Sequence, residues 1–263
     1  MTTVADILQF VESLAPKYMK MDWDNVGLLC GSASASVTKV LVALDPFEHV
    51  CQEAADWGAE LIVTHHPLIF VAPKAITDAT SVGRSIRCLC NSGISAINAH
   101  TNLDCAPGGV NDALAAALAL ADIAVINPTG RDTQGRDWGL LRMGTVNAQP
   151  LTDFLAHVKT TLNCPGLRYV DGGKPVRRVA VGGGACADEL VDAFQAGCDT
   201  FVTSDIKYNQ FWDAQDLGLN LIDAGHFYTE NPVTTILARE ISTVFPEISV
   251  KISESHRDCM KFY

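Results

Sequence analysis

Histidine side chains follow hydrophobic segments in this sequence. The stretch VTHHPLIF places His65 and His66 side by side, directly after an apolar run. Neighbouring side chains on a regular strand point to opposite faces, so an adjacent pair serves one site only where the backbone leaves strand geometry. Pro67 lacks an N–H group and restricts the residue before it, which predicts that the strand stops at the histidines. Both are therefore expected at the carboxyl end of a strand, where α/β sheets bind ligands.

Two further histidines share a pattern with an acid. GISAINAH ends at His100 and GLNLIDAGH ends at His226, and a carboxylate follows each histidine four residues later, Asp104 and Glu230 respectively. This recurrence favours metal ligation over the ordinary alternative, a hydrogen-bonded structural histidine. The remaining histidines lack the pattern and are interpreted as structural: His49, His157 and His256.

The metal-capable groups are nitrogen and oxygen donors only: His65, His66, His100, Asp104, His226 and Glu230. Imidazole and carboxylate suit zinc, iron, manganese and similar ions. No cysteine belongs to this donor set, which argues against a closed structural zinc site. The set exceeds what one tetrahedral ion needs, and a carboxylate can bridge two ions about 3.5–4 Å apart. The sequence therefore predicts a site for two divalent metal ions.

Local patterns predict the elements that position the first histidines. Apolar residues at helical spacing follow a candidate cap at Thr3. Buried strands are predicted at 40–44 and 61–64, with a helix at 48–57 between them that ends at Gly58. These three elements form a βαβ unit.

A similar sequence recurs in the second half of the chain. VTKVLVALD at Val37 matches VRRVAVGGG at Val176, and AADWGAELIVTHH matches DAFQAGCDTFVTSD, which aligns Thr64 with Thr203. We therefore expect an α/β fold of two related lobes around an approximate two-fold axis, with the dimetal site in the cleft between them. Residues 1–130 would carry His65, His66 and Asp104, and residues 131–263 the other ligands. The break is expected near residues 127–135, INPTGRDTQG, which are rich in turn formers.

Composition excludes several classes of protein. The 263 residues are 48% hydrophobic and 19% charged, without an apolar run of the roughly 20 residues that span a bilayer. The N-terminus lacks a basic leader, so we expect a cytoplasmic protein without a membrane partner. The nine cysteines include no CxxC pair and are interpreted mostly as core residues. A net charge of −11 opposes binding to nucleic acid.

Motifs in a fixed order resemble a known family. They are DWDNVGLLCG, VTHHPLIF, AHTNLDCAPGGVND, VAVGGGA, TSDIKYNQF and DAGHFYTE, and they span nearly the whole chain. Together they are similar to the Nif-three-like dimetal proteins, often labelled GTP cyclohydrolase 1 type 2. The length resembles the short form, without the domain that some relatives carry between the halves.

The resemblance implies a fold, a ligand set and an assembly. It implies two related α/β lobes, a two-metal cleft and a ring-shaped homohexamer. The family's ligands fall on His65, His66, Asp104, His226 and Glu230. Glu230 would bridge the ions, with His66 and Asp104 on one and His65 and His226 on the other. The label implies opening of the GTP imidazole ring with loss of formate.

This chain departs from the family pattern after Thr203. Where the family has Thr-Gly-Asp and then Lys-Tyr-His, the chain has Thr203-Ser204-Asp205 and Lys207-Tyr208-Asn209. Ser204 therefore replaces a glycine, and Asn209 replaces a histidine. An amide does not titrate, so Asn209 cannot serve as an acid or base. Asp205 is expected to orient a ligand or to carry a proton. Lys207 and Tyr208 would bind a substrate anion or form a solvated pair.

Three further motifs have a structural and a functional interpretation. Gly182 to Gly184 predict a tight turn, with a phosphate cradle as the alternative. Asp24-Asn25 predict a turn, with a place in the cleft as the alternative. Pro107-Gly108-Gly109 predict a loop that caps a helix.

Two functions follow as hypotheses. The first is a dinuclear metal-dependent hydrolase for a small-molecule substrate, such as a nucleotide, in which His100 shuttles protons and Asp205 is the second candidate. The alternative is a non-enzymatic ring that stores or delivers ions, or a scaffold for partner proteins. The enzyme predicts turnover, whereas the ring predicts reversible ion exchange without it.

Overall fold

The computed structural model describes residues 1–263, which form thirteen strands and ten α-helices. In chain order, the first elements are α1 (Val4–Leu14), β1 (Gly27–Cys30), β2 (Lys39–Ala43), α2 (Glu48–Trp57), β3 (Leu61–Thr64), α3 (Ser81–Ser92), β4 (Ser95–Asn98), α4 (Thr101–Cys105), α5 (Val110–Ala117), β5 (Ala121–Val125), β6 (Gly130–Arg131) and β7 (Asp137–Trp138). The others are β8 (Arg142–Gln149), α6 (Leu151–Thr161), β9 (Arg168–Val170), β10 (Val176–Val181), α7 (Leu190–Gln195), β11 (Thr200–Thr203), α8 (Tyr208–Leu217), β12 (Asn220–Asp223), α9 (His226–Glu230), α10 (Pro232–Val244) and β13 (Ser249–Ile252).

The chain forms two compact units, each with its own sheet. The first unit contains Met1–Leu103 and Thr234–Arg257, and the second contains Asp104–Val233 and Asp258–Tyr263. This division differs from the predicted break between residues 130 and 131. Two strand pairings explain the difference: β13, near the end of the chain, pairs with β2, and β5, before the predicted break, pairs with β8. The turn formers near residues 127–135 instead begin the hairpin of β6 and β7.

The first unit is built on a five-stranded sheet in the order β1-β4-β3-β2-β13. All neighbours are parallel except β1, which runs antiparallel to β4. Leu41 and Ile62 of this sheet pack in one core with Val50 of α2 and Leu89 of α3. The predicted helices and strands are confirmed here: Thr3 caps α1, α2 ends at the left-handed Gly58, and β3 stops directly before the histidines.

The second unit is built on a six-stranded sheet in the order β5-β8-β10-β11-β12-β9. Its centre, β10-β11-β12, is parallel, and the other three strands are antiparallel to their neighbours. Val202 and Ile222 face a core that includes α5 and α6, while Phe201 and Leu221 face a core that includes α7 and α8. Helices therefore cover both faces, which explains why these strands read as continuous apolar runs.

The repeated sequence segments fold into the same kinds of element in each unit. The segment that aligns with β3 in the second half is β11, and the segments around Val37 and Val176 contain β2 and β10. Each unit thus has three consecutive parallel strands linked by helices. The α/β fold class is confirmed, and the two-fold relation between the lobes stays a prediction. None of the helices has the length and apolar character that a membrane crossing requires.

Most of the cysteines are buried, as predicted. All nine are free thiols, and five of them are buried: Cys51, Cys105, Cys164, Cys186 and Cys198. Burial raises the pKa of the Cys51 and Cys105 thiols to about 12. These groups are therefore protonated at neutral pH and behave as small apolar side chains.

One carboxylate anchors the segment that follows β13. Glu53 of α2 accepts hydrogen bonds from the hydroxyls of Ser253 and Ser255, at 2.5 and 2.6 Å, and from the backbone N–H groups of Glu254 and Ser255. Lys251 lies 3.2 Å away. Partial burial opposes the charged form, but the serine hydrogen bonds and the backbone donors lower the pKa of Glu53 to about 2.

We predict that Glu53→Gln destabilises the metal-free protein by about 1–2 kcal/mol at pH 7, because charged hydrogen bonds are lost at a partly exposed position. The pKa is lower in the folded than in the unfolded state, so the stabilisation is present above about pH 4.5 and is lost as the pH falls toward 2. Urea unfolding at pH 7 and pH 3 measures the difference. Glu48→Gln, at a half-exposed position of the same helix, is the control. Equal losses for Glu53→Gln at both pH values would contradict the assignment.

Candidate metal centre

Three imidazoles meet at the carboxyl edge of the first sheet. Because β3 and β4 are parallel and Thr64 pairs with Asn98, the residues that follow both strands leave the sheet at the same edge. His65 and His66 follow β3, and His100 follows β4 after one intervening residue. Their ring nitrogens lie within 4.8 Å of one another. The expected convergence of these three histidines is therefore present within the first unit.

Hydrogen bonds fix the orientation of the adjacent pair. Nδ1 of His65 lies 2.9 Å from the carbonyl oxygen of Ala99, and Nδ1 of His66 lies 2.7 Å from Oδ1 of Asp45. A carbonyl or an ionised carboxylate can only accept, so Nδ1 must carry the proton in both rings. The unprotonated atom of each neutral imidazole is then Nε2. This is the usual arrangement of histidine ligands, in which an outer acceptor holds the ring for the metal.

His100 is held in the same way by Asp24. Nδ1 of His100 lies 2.8 Å from Oδ1 of Asp24, and Oδ2 of Asp24 accepts from the backbone N–H and the hydroxyl of Thr101. Burial disfavours the charged carboxylate, but these hydrogen bonds hold the pKa of Asp24 well below its usual range. Asp24 therefore does more than stabilise a turn, because it orients the third imidazole of this cluster.

The second unit brings together the remaining predicted ligands. Parallel pairing of β11 with β12 places Thr203 beside Asp223, so that Asp205 and His226 follow at one sheet edge. In α9, Nε2 of His226 lies 3.1 Å from Oε2 of Glu230, one helical turn later. Ligand atoms of Asp104 and Glu230 lie within 4.8 Å of each other. The recurring histidine and acid thus form a local pair in the second half.

Asp205 holds His226 from the side opposite to Glu230. Its Oδ2 lies 2.8 Å from Nδ1 of His226, and its backbone adopts φ = 53°, a left-handed conformation that an aspartate tolerates better than most residues. Burial disfavours the imidazolium, but the carboxylates of Asp205 and Glu230 raise the pKa of His226 to about 11. Of the two roles expected for Asp205, this geometry supports that of an orienting group.

The glycine turn after β10 makes room for Glu230. Gly184 has φ = +65°, and a Cβ at this position would lie 2.1 Å from Oε1 of Glu230. Its N–H donates to Thr229 Oγ1 at 3.0 Å, and the N–H of Gly183 donates to Asn111 Oδ1 at 2.7 Å. Both donors are engaged within the chain, so the tight turn is confirmed and the alternative of a phosphate cradle is wrong.

Ser204 supports the same turn. Its backbone N–H and its hydroxyl both donate to the carbonyl oxygen of Gly184, at 3.0 and 2.6 Å. Ser204 is fully buried. Ser204 was not predicted to contribute to the site. Its effect is to hold the glycine against which the Glu230 carboxylate packs.

A buried arginine holds the segment after Asp104. Arg142 is 2% exposed and donates to the carbonyl oxygens of Cys105 and Ala106, at 3.2 and 3.0 Å, and to both oxygens of Asp112. The amide of Asn111 donates to the Asp104 carbonyl at 3.1 Å. The predicted loop of Pro107 to Gly109 does lead into α5. The roles of Arg142 and Asn111 were missed, because Arg142 lies at least 30 residues from these partners and Asn111 also accepts from Gly183, 72 residues away.

The other candidate residues lie outside these clusters. His157 contacts the Leu118 carbonyl at 3.2 Å and His256 contacts the Ser253 carbonyl at 2.9 Å, as expected of structural histidines. Asn209 lines a surface cavity of about 510 Å³ between α7 and α8. Lys207 is exposed, 3.4 Å from Asp188, and Tyr208 is 79% exposed, which supports the interpretation of Lys207 and Tyr208 as a solvated pair.

The donor set fits a divalent metal. In the first unit, His65, His66 and His100 form a cluster that could hold an ion, and in the second unit Asp104, His226 and Glu230 offer nitrogen and oxygen ligands. Glu230 and Asp104 are 4% and 8% exposed, and two buried carboxylates at short range repel each other. A cation between such groups relieves the repulsion, and imidazole with carboxylate matches zinc, iron or manganese. The structure therefore provides sites that could hold metal ions.

Comparisons with known proteins converge on one family. The model of the family Duf34/NIF3 (NGG1p interacting factor 3) matches residues 2–259. A protein of Clostridium perfringens named GTP cyclohydrolase 1 type 2 homolog is 34% identical over 98% of both chains. One of Streptomyces coelicolor with the same name is also 34% identical, over 93% of this chain and 87% of its own length.

Solved structures share the fold. A Bacillus cereus protein related to NIF3 has a TM-score of 0.94 at 27% identity and covers 100% of this chain and 99% of its own. Staphylococcus aureus protein SA1388 has a TM-score of 0.91 at 31% identity with the same coverage. A Staphylococcus aureus relative by sequence aligns over 366 positions, more than the 263 residues here. It therefore contains additional sequence that this chain lacks, which agrees with the expected short form.

We predict that Gly184→Ala lowers metal affinity at least tenfold, because the added methyl group displaces the Glu230 carboxylate. Gly173→Ala is a matched control: its φ of +76° imposes a similar backbone strain of about 1–2 kcal/mol, and nothing lies within 4 Å of the added Cβ. Competition with a fluorescent zinc chelator measures affinity, and thermal unfolding measures stability. Equal metal affinity in the two variants would contradict the role of Gly184.

Proposed function

This chain belongs to the Duf34/NIF3 family, and we propose that it is a dinuclear metal-dependent hydrolase. The observation that carries the proposal is the common orientation of four imidazoles. Each directs Nδ1 to an oxygen acceptor, which is a carbonyl for His65 and a carboxylate for the other three, His66, His100 and His226. This orientation leaves Nε2 of His65, His66 and His226 as the atom for a metal and Nε2 of His100 as the atom that accepts a proton.

Five residues are proposed to hold two divalent ions: His65, His66, Asp104, His226 and Glu230. Glu230 is the proposed bridge, with His66 and Asp104 on one ion and His65 and His226 on the other. Support comes from the short distance between Asp104 and Glu230 and from the fit of the glycine turn around the Glu230 carboxylate. The identity of the ions is left open among zinc, iron, manganese and similar metals.

The chemistry of such a centre suits hydrolysis. When bound, paired divalent ions lower the pKa of water and polarise a carbonyl, phosphoryl or purine ring atom. His100 is the proposed proton shuttle, because Asp24 fixes the proton on its Nδ1 and leaves Nε2 to accept one. Asp24 also stabilises the imidazolium that forms when His100 accepts a proton. Asp205 is the second candidate proton carrier, although its hydrogen bond to His226 favours an orienting role.

The proposed substrate is a small molecule such as a nucleotide. The curated relatives are named GTP cyclohydrolase 1 type 2 homolog. The label implies a reaction that opens the GTP imidazole ring with loss of formate. Its hydrolytic steps need an activated water and a group that moves protons, which are the functions proposed here. A toroidal homohexamer is proposed as the assembly. The net charge of −11 makes nucleic acid a poor partner.

A second candidate is a non-enzymatic ring that stores or delivers metal. The observation in its favour is Asn209, which stands where the resemblance places a histidine, so that one titratable group of the family pattern is replaced by an amide. Storage needs ligands that bind reversibly but no proton shuttle. The two candidates therefore differ in what they require of His100.

We predict that His100→Ala retains both metal ions but loses about 10²–10⁴-fold in hydrolytic rate, the usual contribution of a general acid or base. Metal content is measured by mass spectrometry, and turnover is measured with GTP and with generic phosphoesters. His157→Ala, which removes a structural histidine of α6, is the control and should keep its activity. Full activity in His100→Ala would remove this residue from the mechanism. Two bound ions without turnover of any substrate would favour the storage ring.

A further inference from the structure

Two exposed aromatic rings lie next to the histidine cluster of the first unit. Trp23 is 61% exposed and Phe70 is 54% exposed. Their ring centroids are 5.6 Å apart with an interplanar angle of 61°, and each centroid is 6.2 Å from that of His100. The Trp23–Phe70 pair is therefore in contact range of the proposed proton shuttle. The proposed mechanism assigns no role to either ring.

Hydrogen bonds hold the loops that carry the two rings. The Asn25 amide donates to the Ile69 carbonyl at 2.7 Å, which links the loop of Trp23 to the loop of Phe70. The Asn98 amide donates to the Asn25 carbonyl at 3.1 Å, which links both loops to the end of β4. Between Trp23 and Asn25, Asp24 is buried and forms hydrogen bonds with His100 and Thr101. These hydrogen bonds link the two loops to each other and to the end of β4 before any ligand arrives.

The adjacent position of these two exposed rings indicates a binding surface. A single exposed apolar side chain is ordinary, but two adjacent aromatic rings beside a group of functional side chains are typical of a binding site. Both rings are flat and apolar, and their shape suits a flat apolar surface. Aromatic rings prefer offset-stacked or edge-to-face contacts at centroid distances of about 4.5–7 Å. A planar ligand can therefore stack on one member of the pair and meet the edge of the other.

We propose that the Trp23–Phe70 pair is a stacking site that binds a planar nitrogen heterocycle of the substrate and presents it to His100. The class includes purines and related fused rings, whose π-faces stack on aromatic side chains. The inference rests on the proposed function only for the reaction that follows binding. The Trp23–Phe70 pair determines specificity, because it selects substrates that carry a flat ring over those that carry only sugar and phosphate.

The test compares two ligands that differ only in the ring. Isothermal titration calorimetry measures the binding of GMP and of ribose 5-phosphate to the full-length, metal-loaded protein. We expect the wild type to bind GMP at least about tenfold more tightly than ribose 5-phosphate, as stacking on aromatic side chains commonly provides. The Trp23→Ala, Phe70→Ala double variant should lose most of this preference and bind ribose 5-phosphate unchanged.

Two controls separate stacking from loss of structure. Trp23→Phe keeps an aromatic ring and should retain most of the preference for GMP. Trp212→Ala removes a ring of α8 that is 53% exposed and has its own edge contact with Tyr208, and it should change nothing. Metal content should match the wild type in all variants. The inference is overturned if wild-type protein shows no preference for GMP, or if the double variant keeps it.

The test of the stacking site can be distinguished from the test of the proposed hydrolase. Ring-dependent binding without hydrolysis of any nucleotide would keep the stacking site and remove the enzymatic function. Hydrolysis with an unchanged KM in the double variant would keep the enzyme and remove the stacking site. Binding and turnover are measured separately, so each result applies to one proposal only.

Discussion

The constraint on which this structure depends is the position of one proton on each of four imidazoles. An oxygen that can only accept lies at Nδ1 of His65, His66, His100 and His226. Each ring therefore has a fixed tautomer or, when charged, a fixed orientation, and its Nε2 is the atom available to a metal. The acceptors come from different loops and strands, so the fold must bring them to the sheet edges before the histidines can act together.

Parallel strands in register meet this requirement. Thr64 pairs with Asn98 in one unit and Thr203 pairs with Asp223 in the other, so chain segments leave each sheet at a common edge. A shift of the register would separate His65 from the Ala99 carbonyl, which holds its ring. The carboxylates impose a second requirement, which is space: Gly184 provides it for Glu230. A cation would relieve the repulsion between these buried acids, which lie at short range.

Much of this arrangement could be predicted from local sequence signals. The Thr3 cap, the glycine that ends α2 and the proline after His66 each act within a few residues, and the structure places all three as expected. The repeat in the sequence also predicted a βαβ unit in each half. Strand-end histidines could be recognised because apolar runs stop directly before them.

The remainder depends on contacts between distant parts of the chain. Pairing of β13 with β2 gives the first unit a discontinuous sequence, and no local pattern records which edge a terminal strand joins. The acceptors Asp24 and Asp45 lie 76 and 21 residues from their histidines. Aspartates are common in turns, so their position predicts a turn as readily as an orienting role. No periodic pattern in the sequence predicts that Trp23 and Phe70 lie next to each other.

The central claim is that oriented imidazoles and buried carboxylates hold two metal ions. The most direct measurement is the metal content of protein purified without added metal, beside the double variant His65→Ala, Glu230→Ala. We expect about two ions per chain in the wild type and a loss of both in the variant, because Glu230 is the proposed bridge. Wild-type protein that binds no metal even after reconstitution with zinc, iron or manganese would contradict the claim.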